Sequence, residues 1–181
     1  MKYIPTASQT VGPFFNFGLT ANPALGVLAG SGAAGERIRL TFHVTDGGGV
    51  PTPGDAMIEL WQADSEGRYG QGDFHGFGRL ETDLDGRCTF ETIRPGRVPA
   101  PEGGLQAPHI NVSVFARGLL KHLHTRVYFE GDAANDADPV LGLVPPERRA
   151  TLLARRSESD AAAWHFEVVL QGDSETVFFD V

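Results

Sequence analysis

Cysteine is almost absent. The one thiol, Cys88, rules out a disulfide framework within the chain and any cysteine-based zinc site. Long apolar runs are missing too: the stretch from Phe14 to Ala29 comes nearest, and Asn16, Asn22 and Pro23 interrupt it, so no membrane-spanning helix is expected. Pro5 stands where a secretion signal would need an unbroken apolar run, and a cytoplasmic location is expected. Positive charge is scarce. With 15 Lys and Arg against 23 Asp and Glu the formal net charge is −8, which argues against general nucleic-acid or membrane-surface binding but leaves room for a small anion held by one placed arginine. There is no Gly-x-Ser-x-Gly elbow, and Gly47-Gly48-Gly49 precedes no helix, so neither a hydrolase nucleophile nor a phosphate-binding loop is expected.

What the chain has in quantity is glycine and proline, 23 and 12 among 181 residues, spread between short apolar runs as in a protein of many strands joined by turns. Ile38, Leu40, Phe42 and Val44 alternate with polar residues, the period-two pattern of a half-buried strand. Further strands are predicted from Ala56 to Trp61, Arg87 to Ile93, His109 to Val114, His122 to Phe129 and Trp164 to Leu170, with an edge strand over Thr176 to Phe179. One helix is predicted, opening at Pro145-Pro146-Glu147 and continuing to Arg156, with proline and an acid at its start and arginines near its end. These elements predict a single all-β domain over residues 1–181: a two-sheet antiparallel β-sandwich with one short helix and long loops.

Six histidines invite a search for a metal site. On a strand, His122-x-His124 turns two imidazoles to one side, with Tyr128 on the same face, which is either the start of a first-row metal site or a polar face of hydrogen-bonded histidines. His43, His75 and His165 are isolated and read as hydrogen-bonded or surface side chains. Asp83 and Asp85 read as turn formers, and Cys88 as a packing residue within a strand.

Several segments carry a more specific signal. Trp61-Gln62-Ala63-Asp64 is followed by Gly67-Arg68-Tyr69, then by Gly78-Arg79, Asp83 to Gly86, Thr92-Ile93-Arg94-Pro95-Gly96 and Ala107-Pro108-His109-Ile110. In order and spacing over residues 8 to 130 they resemble the intradiol ring-cleavage dioxygenases. That resemblance implies an iron(III) ion held by two Tyr and two His. Tyr69 matches the first Tyr and His109 the first His, whereas the second Tyr position holds Val98 and the second His position Asn111. An Arg that the family places three residues before the first His is Gln106 here. Valine has no donor atom, and a neutral amide is a poor partner for a hard trivalent ion, so iron is not expected in this chain's own site.

The pattern is similar to the iron-free alpha chains in the branch of that family that acts on protocatechuate (3,4-dihydroxybenzoate). Ser8 to Phe14, Val114 to Gly118, His122 to Phe129 and Glu175 to Asp180 agree with it. The resemblance implies a homologous beta chain that holds the Fe(III), a higher alpha/beta hetero-oligomer, and an active site between the two chains. It implies that Thr10, Gly12, Pro13 and Arg117 line that site, that Arg117 stands near the substrate carboxylate, and that residues 1–35 form an extended segment at the partner interface. The implied reaction is cleavage by O2 to 3-carboxy-cis,cis-muconate in the beta-ketoadipate pathway. Two other readings stay open: a stand-alone β-sandwich binding protein, and an iron enzyme in its own right that uses Tyr69, His109, His122 and His124.

Overall fold

The structure is a computed structural model that describes residues 10, 12–50, 56–70 and 74–180. Eight strands follow a short N-terminal helix, α1 (Pro13–Thr20): β1 (Arg37–Thr45), β2 (Ala56–Gln62), β3 (Phe77–Glu81), β4 (Arg87–Ile93), β5 (His109–Ala116), β6 (Leu123–Phe129), β7 (Leu153–Arg156) and β8 (Ala163–Val169). They join in the order β3-β2-β5-β6-β7-β8-β1-β4, and the two end strands come near each other, so the sheet is nearly closed. Ile38, Leu40, Phe42, Phe90, Trp164 and Phe166 of one half meet Ile58, Leu60, Ile110, Val112, Val127 and Phe129 of the other in one buried core. The alternation read from β1, β5 and β6 is therefore what fills the molecule, and their polar alternates face outward.

The expected two-sheet antiparallel sandwich needs correction in two respects. The strands form one continuous sheet, and it is mixed: β1 runs parallel to β8, and β6 parallel to β7. The continuity and the parallel β6–β7 pair both follow from β7. The helix predicted to run to Arg156 stops at Leu152 as a 3₁₀ helix, Pro146–Leu152, and the next four residues pair with Tyr128 and Phe129 on one side and with Trp164 and His165 on the other. Adjacent leucines 152 and 153 give no i, i+4 stripe to hold a longer helix, and a gap in the sheet offers backbone partners instead. Thr176 to Phe179 forms no strand, only a bridge between Phe179 and His124.

Helix α1 and strand β3 were not expected. Asn22 caps the 3₁₀ turn Pro23–Gly26 by accepting from the Ala24 N–H at 3.1 Å, and Leu28 then packs on Gly78 of β3, where a Cβ would lie 2.5 Å from the leucine Cδ1. Among the described residues no helix is long and apolar enough to cross a membrane.

Two glycines fix how the loop after β2 docks. Gly67 has φ +81°, and a Cβ there would sit 2.0 Å from the Arg97 carbonyl oxygen; Gly76, at φ +70°, would meet the Gln62 carbonyl oxygen at 2.1 Å. Backbone cannot yield as a side-chain tip can, so Gly67→Ala is expected to cost about 2–4 kcal/mol and lower Tm by roughly 5–15 °C. Gly30→Ala, with open space around it, should change Tm little. Calorimetry on the two variants checks the contrast.

Candidate functional site

The first candidate residue, Tyr69, is placed by the end of β2. The buried Gln62 side chain donates to the Ile93 carbonyl at 2.9 Å and accepts from the Thr92 hydroxyl at 2.7 Å, tying the ends of β2 and β4 together. Burial pushes the Asp64 carboxyl up, but the Arg68 N–H, the Arg68 guanidinium and the Glu66 N–H bond to it and hold it below the ordinary carboxylate value. The Gly96 N–H donates to the Asp64 carbonyl at 2.8 Å. The turn that carries Tyr69 is thus docked on the segment that carries Val98.

The Tyr69 ring stacks on Trp61, centroids 5.7 Å apart and 19° between planes, and its hydroxyl accepts from the Asn111 amide at 3.2 Å. Burial raises the Tyr69 pKa, against the pull of the Asn111 hydrogen bond and the Arg126 charge. Val98 is buried. Its carbonyl accepts from the Gln106 N–H, and Arg97 closes the loop by donating to the carbonyls of Leu105 and Gln106.

His109 and Asn111 share the outer side of β5, opposite Tyr128 and Arg126 on β6. His109 is buried, and its Nδ1–H donates to the Ala107 carbonyl at 2.8 Å. Burial, then the nearby Arg126 charge, lowers its pKa, and the ring is neutral near pH 7. Tyr128, which the strand pattern placed beside the histidine pair, is wholly buried and donates to Asp138 at 3.1 Å. Its own pKa is raised beyond the ordinary range, chiefly by burial.

This set does not fit iron(III). One of the four positions is a hydrocarbon, and another presents amide N–H groups toward the Tyr69 oxygen, where a cation would need lone pairs. Among the described residues no group of three His, Cys, Asp or Glu lies close enough to hold a metal ion. His122 and His124 are packed edge to face, centroids 4.5 Å apart; His122 stacks on Phe115, and His124 Nδ1 lies 3.3 Å from the Ser113 hydroxyl. Ser113, the partner of His124, lies four steps along β5 from His109, about 14 Å at the rise of a strand, so the histidine pair does not join Tyr69 and His109.

The remaining candidates lie at the other end of β5. Arg117 follows its last residue, Ala116, and is exposed. The Gly118 N–H donates to the Thr10 hydroxyl at 2.7 Å, which brings the start of the described chain onto the Arg117 turn. Gly12 caps α1 and Pro13 opens it. The length of β5, about 25 Å, separates this group from His109.

Two residues were missed in the sequence. Arg126 carried a signal, since it alternates with His124 and Tyr128 on one strand face; it donates to the Gln106 side chain at 2.8 Å. Asp138 carried none. Its buried carboxylate accepts from the N–H groups of Ala107, Val140 and Leu141 and from the Tyr128 hydroxyl, partners drawn from the approach to β5, strand β6 and its own turn.

Comparison with known proteins identifies the family. Residues 12–172 match the family described as Dioxygenase. A protocatechuate 3,4-dioxygenase alpha chain of Burkholderia cepacia is 44% identical over 97% of this chain and 97% of its own length. The corresponding beta chain from that organism is 36% identical over 78% of this chain and 67% of its own length. Among solved structures, the dioxygenase domain of a carbohydrate-binding fusion protein from Streptomyces sp. SirexAA-E superposes with a TM-score of 0.65 at 26% identity, covering 96% of this chain and 100% of that one.

Two outcomes follow from the site. The purified chain is expected to carry no stoichiometric iron and no visible tyrosinate-to-iron absorption, which metal analysis and an optical spectrum check; a loaded, coloured chain would contradict the ligand argument. The His109 pKa is lower folded than unfolded, so the unfolded chain binds the proton more readily. Stability is therefore full above about pH 6.5 and declines as pH falls from there toward the depressed folded value. Urea unfolding at pH 7.5 and pH 5.5 should show that decline, and it should be smaller in His109→Gln.

Proposed function

The chain belongs to the intradiol dioxygenase family, and we propose that it is the iron-free alpha chain of a protocatechuate 3,4-dioxygenase, completing the substrate pocket of a homologous, iron-bearing beta chain. What supports this reading is that Val98, a buried hydrocarbon, and Asn111, an amide donating to Tyr69, stand where the resemblance expects two iron ligands, in a chain that matches the family over residues 12–172. The 44% identity to an alpha chain over nearly all of both lengths supports it, and the similarity to a beta chain supports a pairing of two related subunits.

In this reading the beta chain would hold the family's iron(III), which would supply the chemistry that joins the ring to O2. Both oxygen atoms enter the product, the bond between the two hydroxylated carbons breaks, and protocatechuate becomes 3-carboxy-cis,cis-muconate, a step of the beta-ketoadipate pathway. This chain's own residues bind and orient. Arg117 pairs with the substrate carboxylate, and its planar fork suits two parallel hydrogen bonds. Thr10, Gly12 and Pro13 form the adjoining wall, held against the Arg117 turn through the Thr10–Gly118 hydrogen bond. Gly12 lets backbone approach the ring closely, and Pro13 stiffens it. The chain acts as one domain over residues 1–181, with residues 1–35 reaching the partner, in a cytoplasmic alpha/beta assembly of higher order.

Co-expression with a beta-type chain, followed by assay of the complex, tests the reading. Arg117→Ala should lower kcat/KM for protocatechuate roughly ten- to a hundredfold while beta-chain iron stays in place. Arg117→Lys should recover part of the loss. Catechol, which lacks the carboxylate, should suffer far less; equal losses on the two substrates would reassign Arg117 to interface packing.

A further inference from the structure

The outer side of the sheet holds a hollow of about 450 Å³ that the proposed function does not use. Trp61 and Phe77, both with substantial ring exposure, wall one side, and Val140 and Phe179 another. Asn111, Ser113, His124 and Arg126 line its floor. The size lies within the range of small-molecule sites, and the mixture of aromatic walls with a few convergent polar groups is their usual chemistry.

Arg126 decides the charge of the ligand. It is half-buried, and one of its terminal nitrogens is fixed by the Gln106 side chain at 2.8 Å, with the Tyr128 hydroxyl at 3.5 Å. Both partners are neutral. Among the described residues no carboxylate lies within ion-pair distance of it. Glu59, at the hollow's edge, is already paired with Arg79 at 2.5 Å, and the Asp138 carboxylate is saturated by the donors described above. Asp180 also lines the hollow and forms no ion pair with the guanidinium. A guanidinium partly withdrawn from water and left without an anion, in a chain of net charge −8, is a preformed half of a carboxylate clasp.

We propose that this hollow binds a small aromatic carboxylate, the carboxylate on Arg126 with Asn111 and Ser113 beside it and the ring against Trp61 and Phe77. The site is distinct from the Arg117 group, which lies at the other end of β5, and the inference does not depend on the proposed activity.

The test uses the alpha/beta complex, or this chain alone if no beta chain joins it. The probe is 4-hydroxybenzoate, which has the carboxylate and ring but lacks the second hydroxyl that cleavage needs. Calorimetry should count one site on this chain in addition to any that perturbs the iron absorption of the complex. Arg126→Gln should weaken the additional site at least tenfold, about 1.4 kcal/mol, and leave the iron-linked site unchanged. Arg126→Lys should restore part of the affinity, and Trp61→Ala, which leaves the Arg126 bonds intact, should weaken the same site. Only an iron-linked site in the complex, no binding by the chain alone, or an additional site indifferent to both Arg126→Gln and Trp61→Ala would each overturn the proposal.

Discussion

The outer end of this sheet depends on a carboxylate that touches no cation. Asp138 is buried and accepts from three backbone N–H groups and one phenol, drawn from three parts of the chain: Ala107 on the approach to β5, Tyr128 of strand β6, and Val140 and Leu141 at the start of the 3₁₀ turn Leu141–Leu143. A charge so placed is tolerable only because its lone pairs are filled, and removal of any one donor would leave a costly gap. Around it Tyr128, Ala107, Leu141, Val144 and Leu152 form a second small core, which is the floor beneath His109.

That support explains how the site keeps its shape without a metal ion. Tyr69 and His109, which the resemblance matches to two ligand positions, are each engaged within the chain: the phenol accepts from Asn111, and the imidazole donates to Ala107. Their polar atoms are satisfied from within the chain, so the loop and the strand need no ion to hold them together. The positive charge nearby now belongs to Arg126, which stands opposite Asn111 in the strand register and lowers the His109 pKa further. A guanidinium there opposes a cation twice, by repulsion and by favouring an anion in its place.

The strand faces were legible because burial on a sheet has a period of two. Ile110, Val112 and Val114 point inward and His109, Asn111 and Ser113 outward, as their spacing requires. The chemistry of Val98 and Asn111 was equally legible: one is a buried hydrocarbon and the other an outward amide on β5. The architecture was less so, and the errors share one cause. Leu153–Arg156 lacks any alternation of its own and becomes a strand only because β6 and β8 leave room between them; with it missed, the sheet falls into two and the preceding helix runs on too long. Strand β3 was obscured in the same manner by Gly78, whose missing side chain is what admits Leu28. Asp138 is invisible in sequence because its partners come from three separate segments.

The geometry of β5 also sets how the molecule divides its work. Its two ends carry two separate groups of candidates, His109 and Asn111 with Arg126 at one, and Arg117 with Thr10 at the other, and the rows of inward valines between them are closely packed. Packed interiors resist continuous deformation, so loss of the donor set at one end need not disturb backbone placement at the other. In the proposed reading, a chain built this way does without iron of its own and still offers Arg117 and the Gly12-Pro13 corner to a partner's site. The other end, where the Arg126 charge favours an anion over a cation, is then open to the ligand proposed for it.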